Sequence, residues 1–420
     1  MLYPLILCLS ALPVQDLPNT TLSDPHRMTQ DEKRASFSLA CIYGLRMLGL
    51  FMVLPVFAIE AKSYIGGNDE VAIGFAIGLY GLVQAALQIP FGLAADRLGR
   101  KKIIVLGLLL LALGSWLAAI ATSVHGLALG RAIQGGGAIS AAVSALLADQ
   151  TRAEVRTKGM ALIGASIGLM FAVSLVIGPF LSRWGGLPFI FEVTLALSLI
   201  GVAVVVFWTP QEQFHLSTTP PIPFSQLKSL VFTADLLKLY FGVFVLYGVQ
   251  LATWMAVPPL LVAAGVDKDD HGWVYLPAVL LSFVVMGLTL FPLERKGLLR
   301  PLFISSIFLV FLVQLGFMFE TLHAPNIWFL EILLFCFFCG FNILEASQPS
   351  LASKIAPLQA RGSTLGIYNT LQSLGIFTGA AAGGWVAKLI GPEGLFASAS
   401  ALLLLWIFVS WRMNYSPKAE

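Results

Sequence analysis

The stretch VAIGFAIGLYGLVQAALQIPFGLAADRLGRKKIIVLGLLLLALGSWLAAIAT, Val71 to Thr122, contains two apolar runs separated by a short basic segment. Each run, 71–95 and 103–122, reaches the roughly 20 residues that cross a bilayer as a helix. Strands of a membrane barrel would be shorter and would alternate in polarity, which neither run does. Runs of this kind recur along the chain. Of its 420 residues 58% are hydrophobic and 11% charged, about half the charged share usual in a soluble protein and too little to cover a water-facing surface of this size. The chain therefore reads as an all-α integral membrane protein whose main partner is the lipid bilayer.

Outward from that stretch, spans are expected at 36–64, 71–95, 103–122, 124–149, 159–182 and 187–208, then at 236–264, 272–292, 301–320, 325–352, 363–389 and 393–411. The twelve spans form two six-helix halves, 36–208 and 236–411. Between them 209–235 is the longest polar interval, with Pro210, Pro220, Pro221 and Pro223, and reads as a cytoplasmic linker in which 224–232 lies as a short interfacial helix. Residues 412–420 form a short cytoplasmic tail and 1–35 an N-terminal extension. Met1 to Leu12 is apolar but has no basic leader, and the turn formers Pro18, Asn19, Asp24 and Pro25 follow it, which favours Met28 as the true start over a signal peptide.

An even number of spans puts both termini on one side. Of the 25 Lys and Arg residues, 18 fall on that side, among them Lys33, Arg97, Arg100, Lys101, Arg156, Arg300, Lys354 and Lys418, and 4 on the other: Lys62, Arg183, Lys268 and Lys388. The basic side is expected to be cytoplasmic, in the inner membrane of a bacterium. The net charge of +3 implies no nucleic acid partner. The halves also echo each other, with Asp96-Arg97-Leu98-Gly99 after helix 2 and Glu294-Arg295-Lys296-Gly297 after helix 8, 198 residues apart. Duplication of a six-helix unit is the architecture expected of a secondary transporter with a central binding site.

Within the opening stretch, Gly92-Leu93-Ala94-Ala95-Asp96-Arg97-Leu98-Gly99-Arg100-Lys101-Lys102 resembles the signature of the major facilitator superfamily between helices 2 and 3. Gly92 would permit close helix approach, Asp96 can accept N–H groups at a helix N-terminus, and the basic residues hold the loop at an anionic leaflet. The resemblance implies a conformational latch of Gly92, Asp96, Arg97, Gly99, Arg100 and Asp149, with Asp96 near the start of helix 11 and Arg100 paired to Asp149. Arg131-Ala132-Ile133-Gln134-Gly135-Gly136-Gly137-Ala138 on helix 4 resembles the second signature, whose intramembrane Arg is associated with proton coupling. Gly178-Pro179 is similar to the antiporter signature, but Ser174 replaces its Gly and the following Gly pair is missing. Arg46-Met47-Leu48-Gly49-Leu50-Phe51-Met52-Val53-Leu54-Pro55 and the helix 2 run are most similar to the YajR-like branch of drug/proton antiporters. Small-residue pairs Gly74/Gly78, Gly164/Gly168 and Gly375/Gly379/Gly383 are expected at close packing along the seam between halves.

The resemblance implies a cavity lined by helices 1, 4, 7 and 10. On helix 7, Tyr240, Phe244, Tyr247, Leu251 and Trp254 share one face, as do Glu331, Phe338, Asn342 and Glu345 on helix 10. Tyr240, Phe244, Tyr247, Trp254, Phe338 and Asn342 are the cavity candidates. Arg46, near the bilayer centre, should face the cavity and find a partner, because an unpaired Arg there costs roughly 2.5–3.5 kcal/mol. Glu345 is the acidic candidate, giving Arg46, Arg131 and Glu345 as the proton-coupling set; the alternative is an Arg46 satisfied by backbone carbonyls near Pro55.

The expected function is proton-coupled efflux of small lipophilic or cationic compounds by alternating access, carried out by a monomer. Uptake or export of a specific metabolite such as a sugar is the alternative. No G-x-x-x-x-G-K-[ST] sequence supports a primary pump, and the five scattered histidines outline no metal or catalytic constellation, so neither an enzyme nor a sensor is favoured and no cofactor is expected. Cys336 and Cys339 have C-x-x-C spacing, but in a Phe-rich helix they read as small buried side chains.

Overall fold

The computed structural model describes residues 28–211, 229–357, 360–411 and 413. The expected extension upstream of Met28, the interior of the linker at 212–228 and most of the tail lie outside the described residues. Among the described residues, ten helices are long and apolar enough to cross a membrane. Two of them, Lys158–Trp208 with 51 residues and Arg361–Ser410 with 50, exceed any single span. The first breaks at Gly185 and Gly186, where Gly186 has φ 62°, and the second at Ile390 and Gly391, where Gly391 has φ 74°. Only glycine adopts this backbone without steric cost, and Pro188 and Pro392 follow to start the next helix. Dividing both at their breaks brings the ten to twelve.

Helix 1 is Gln30–Ser63, helix 2 Glu70–Leu98, helix 3 Arg100–Ala119 and helix 4 Val124–Asp149. Helices 5 and 6 share Lys158–Trp208. Helix 7 is Ala234–Ala263, helix 8 Lys268–Glu294, helix 9 Leu299–Leu322 and helix 10 Ile327–Ile355, and helices 11 and 12 share Arg361–Ser410. Helix 1 begins six residues before the expected position 36. Thr29 and Glu32 form a capping box there, Thr29 Oγ accepting from the Glu32 amide (3.2 Å) and the Glu32 carboxylate from the Thr29 amide (2.8 Å). Residues 30–35 thus belong to the first helix, not to an extension.

Asp96 and Arg97 lie in the last turn of helix 2 instead of in a loop, and Gly99 alone, at φ 101°, makes the turn into helix 3. Its counterpart Gly297 has φ 73°, so the sequence echo marks the same left-handed junction in both halves. Helix 4 is discontinuous. It unwinds after Gly135 and resumes at Ser140, because Gly135-Gly136-Gly137 offers little helix propensity at mid-membrane. Helix 3 buries Ile104, Leu108 and Leu111 against the protein and exposes Leu106, Leu109, Leu113 and Trp116, an apolar outer face suited to lipid.

Helices 1–6 and 7–12 meet along a seam where helix 2 lies on helix 11. A Cβ on Gly74 would stand 2.3 Å from the Ala380 carbonyl oxygen, and one on Gly384 2.3 Å from that of Glu70, so backbone touches backbone. Gly375 and Gly379 do not serve this seam: they face the Phe244 and Gly248 carbonyls and tie helix 11 to helix 7 of its own half. Helices 5 and 8 meet where Gly272 faces Val176 and Gly168 faces Phe283. Toward the basic end the seam parts, and Gly164, Gly287, Gly362 and Gly366 have nothing within 4 Å of a Cβ position.

Candidate functional site

At the end opposite the basic one, ion pairs join the two halves. Lys268 on helix 8 reaches Glu60 on helix 1 (2.7 Å), Arg183 on helix 5 reaches Asp269 (3.5 Å), and Lys388 on helix 11 reaches Asp69 before helix 2 (3.0 Å). Ser182 also donates to Glu60 (3.1 Å). The Lys388 ammonium holds the Asp69 carboxyl below the usual carboxylate range. Below this layer, aromatic rings cross the seam. Phe171 on helix 5 packs edge-on against Phe51 of helix 1 at 5.0 Å and against Phe338 of helix 10 at 6.1 Å, and Trp254 packs on Tyr275 at 5.3 Å. Phe51, Phe171 and Tyr275 were not among the sequence candidates, because contacts between distant helices leave no mark in the spacing of either.

Of the cavity candidates, Tyr247, Trp254 and Phe338 join this aromatic layer, Tyr247 through Phe341 at 5.8 Å. Tyr240 is buried at 2% exposure. Phe244 lies elsewhere: with Gly248, Gly379 and Leu402 it lines an apolar cavity of about 210 Å³ between helices 7, 11 and 12. Asn342 turns to helix 8, donating to Ser282 Oγ (2.9 Å).

Glu345 is half-buried on helix 10, ten residues from its basic end, and accepts a hydrogen bond from Tyr247 Oη (2.8 Å). Tyr368 and Gln372 of helix 11 lie beside this pair. Arg46 was expected to face the cavity, but it is 1% exposed and turned into the N-terminal half, where its Nη2 donates to Tyr80 Oη (3.0 Å) and its guanidinium lies 5.8 Å from the Tyr43 ring centre. Its contact is therefore neither Glu345 nor the backbone near Pro55. Arg131, 2% exposed, stacks over the other part of Tyr80 at 4.9 Å and donates to Gln134 Oε1 (2.8 Å), which in turn donates through Nε2 to Ser115 (2.8 Å). Tyr43 Oη donates to Ser140 (2.7 Å) at the resumption of helix 4.

At the basic end, Arg100 pairs with Asp149 and donates to the Ala145 carbonyl. Asp96, 64% exposed, lies 3.7 Å from Arg100, while Gly362 and Gly366 at the start of helix 11 face open space. Arg97 is exposed, and Gly92 has only the Ala141 methyl at 3.7 Å, an ordinary contact, so close helix approach does not depend on it here. Arg152–Glu32 (2.9 Å), Lys354–Glu294 and Lys238–Asp235 (3.0 Å) also each join groups of one half. Cys336 and Cys339 are free thiols, and no cluster of three His, Cys, Asp or Glu able to hold a metal occurs among the described residues.

The family model described as Major Facilitator Superfamily matches residues 39–380. The chain is 37% identical to the inner membrane transport protein YajR of Escherichia coli (strain K12), over 93% of this chain and 86% of that protein. It is 27% identical to the multidrug resistance protein MdtH of Aeromonas hydrophila subsp. hydrophila, over 81% of this chain and 84% of MdtH. Its fold superposes on the crystal structure of a mutant of the nucleoside transporter NupG with a TM-score of 0.72, covering 90% of this chain and 99% of that one at 15% identity. A duplicated six-helix unit, a glycine-packed seam closed at one end and parted at the other, and these similarities lead to one conclusion: the chain is a multi-pass membrane transporter belonging to the Major Facilitator Superfamily.

Proposed function

We propose that this transporter works by proton-coupled alternating access and exports small lipophilic or cationic compounds, with Glu345 as the proton carrier. The placement of Glu345 carries the reading. A carboxylate inside a membrane helix whose hydrogen-bond partner is a neutral tyrosine, with no ion pair to it among the described residues, can be neutralised by a proton or by a cationic cargo. Competition between the two is the minimal chemistry of an antiporter. The aromatic layer next to it offers apolar surface and π-faces that attract organic cations, and the likeness to a multidrug resistance protein agrees with this. The basic end, with both termini, is the cytoplasmic side by its excess of Lys and Arg, so the seam is parted toward the cytoplasm and the protein is ready to load from it. Asp96 contacts the start of helix 11 only when the molecule turns outward.

Glu345→Gln tests this. In proteoliposomes the variant is expected to bind an organic cation about tenfold or more weakly and to lose substrate-driven proton movement. Retained coupling with an unchanged pH dependence would remove Glu345 from the mechanism.

A further inference from the structure

Among the described residues, the N-terminal half has two buried cations with no acidic side chain paired to either, its buried Glu32 being taken by Arg152. Arg46 and Arg131 are 1% and 2% exposed, and neither is ion-paired among the described residues. Both lean on one neutral side chain: Tyr80 accepts from Arg46 through its hydroxyl and meets Arg131 with its ring. Arg46 Nε and Nη1 and Arg131 Nε have no acceptor among the described residues. Two guanidiniums without an ion-pair partner in a low-dielectric interior repel each other and each forfeits hydration, a cost that neutral partners offset only in part and that an anion between them would relieve.

A third positive element stands beside them. The second segment of helix 4, Ser140–Asp149, begins in mid-membrane after the glycine break, and its first amides lack the intrahelical partners a continuous helix would supply. Tyr43 connects this start to Arg46, with its hydroxyl on Ser140 and its ring against the guanidinium. An interrupted helix that directs its N-terminus at an anion is a recurrent device of transporters. The Tyr80 hydroxyl, already accepting from Arg46, still has its own proton to donate.

We propose that this locus binds one compact monoanion between Arg46, Arg131, Tyr80 and the start of the second helix 4 segment. The burial of both arginines limits the ligand to the size of a halide or a single carboxylate. It could come from the medium as chloride or from a transported organic acid, and the shared chemistry is a monoanion that accepts from guanidinium N–H groups. Its side chains belong to the N-terminal half, whereas the hydrogen bond of Glu345 goes to Tyr247 of the other half, and the site does not depend on the direction or proton coupling of transport.

The test uses the purified full chain in detergent and reads binding, not transport. Replacing sodium gluconate by sodium chloride or bromide at constant ionic strength is expected to raise the melting temperature saturably, by about 2 °C or more. Acetate separates the sources: a saturable rise with halide alone assigns an ion from the medium, and one with acetate that chloride competes away assigns a cargo carboxylate. Arg46→Gln and Arg131→Gln should each abolish the saturable part, while Arg46→Lys keeps some of it. If the Gln variants do not fold, the bromide titration of the unaltered protein decides. A linear response equal to that in gluconate, or a saturable rise that persists in folded Arg46→Gln and Arg131→Gln, would overturn the assignment.

Discussion

The two ends of the bundle use the same kinds of side chain differently. At the end bearing Glu60 and Lys268, ion pairs run from one half to the other and glycines bring helix 2 onto helix 11 backbone to backbone. At the basic end Arg100–Asp149, Arg152–Glu32 and Lys354–Glu294 hold each half to itself, and glycines of helices 5 and 11 look into open space. The difference separates two jobs. In the proposed alternating-access cycle, pairs within a half keep six helices rigid as a body, whereas pairs across the seam hold one end shut and would have to break for the other conformation to form.

The largest effect is expected where the seam is denied its close approach. Gly74→Leu places a side chain where even a Cβ would stand 2.3 Å from a carbonyl oxygen, so the closed end cannot form as it is. Transport in proteoliposomes is expected to fall by roughly tenfold or more, since overpacking a tight contact costs about 1–3 kcal/mol. Normal transport would show that the helix 2–helix 11 contact is not part of the cycle.

A milder effect is expected from Lys268→Glu, which turns the Glu60 pair into a repulsion. Lys268 is 47% exposed, and a solvent-screened pair of this kind is worth about 0.2–1 kcal/mol, so the ratio of closed to open opposite ends should shift by about 1.5- to 5-fold. Distances between spin labels on helices 1 and 8 would report it. Exchanging the charges, with Glu60→Lys in the same chain, should restore the original distribution; a distribution unaffected by either change would exclude this pair from the gate.

The smallest effect belongs to Asp69. Its carboxyl titrates below the ordinary aspartate range because Lys388 favours the charged form. A depressed pKa of this kind contributes to the closed end at pH above the unpaired value, and the contribution is lost as pH falls through the lower, paired value. Between pH 5 and 8 this contact should therefore be indifferent to pH, and Asp69→Asn should leave the pH profile of transport in that range unchanged. A profile shift of about half a unit or more in Asp69→Asn would mean that the outer ion pairs sense protons.

Much of the fold was legible because lipid imposes a one-dimensional rule: enough consecutive apolar residues make a span, whatever their neighbours. Gly186 and Gly391, each followed within two residues by proline, mark the two breaks that turn ten long helices into twelve. Capping chemistry in Thr29 and Glu32 was also present in the sequence, but the polar character of 30–35 disguised it as a tail. The aromatic stripe on helix 7 had the right spacing, yet spacing gives only a shared face, and Phe244 proved to look toward helices 11 and 12.

Amino-acid order was enough to set the twelve membrane-length segments, their division into two related halves and the excess of basic residues at one end, because hydrophobic length and local backbone preference act within a single segment. It also placed Arg46, Arg131 and Glu345 at depth. Which of them meet was a matter of tertiary packing. Helix rotation and crossing depend on side chains from several segments fitting together at once, and that fit turned Arg46 inward to Tyr80, left Glu345 with Tyr247, and closed the seam at one end while parting it at the other.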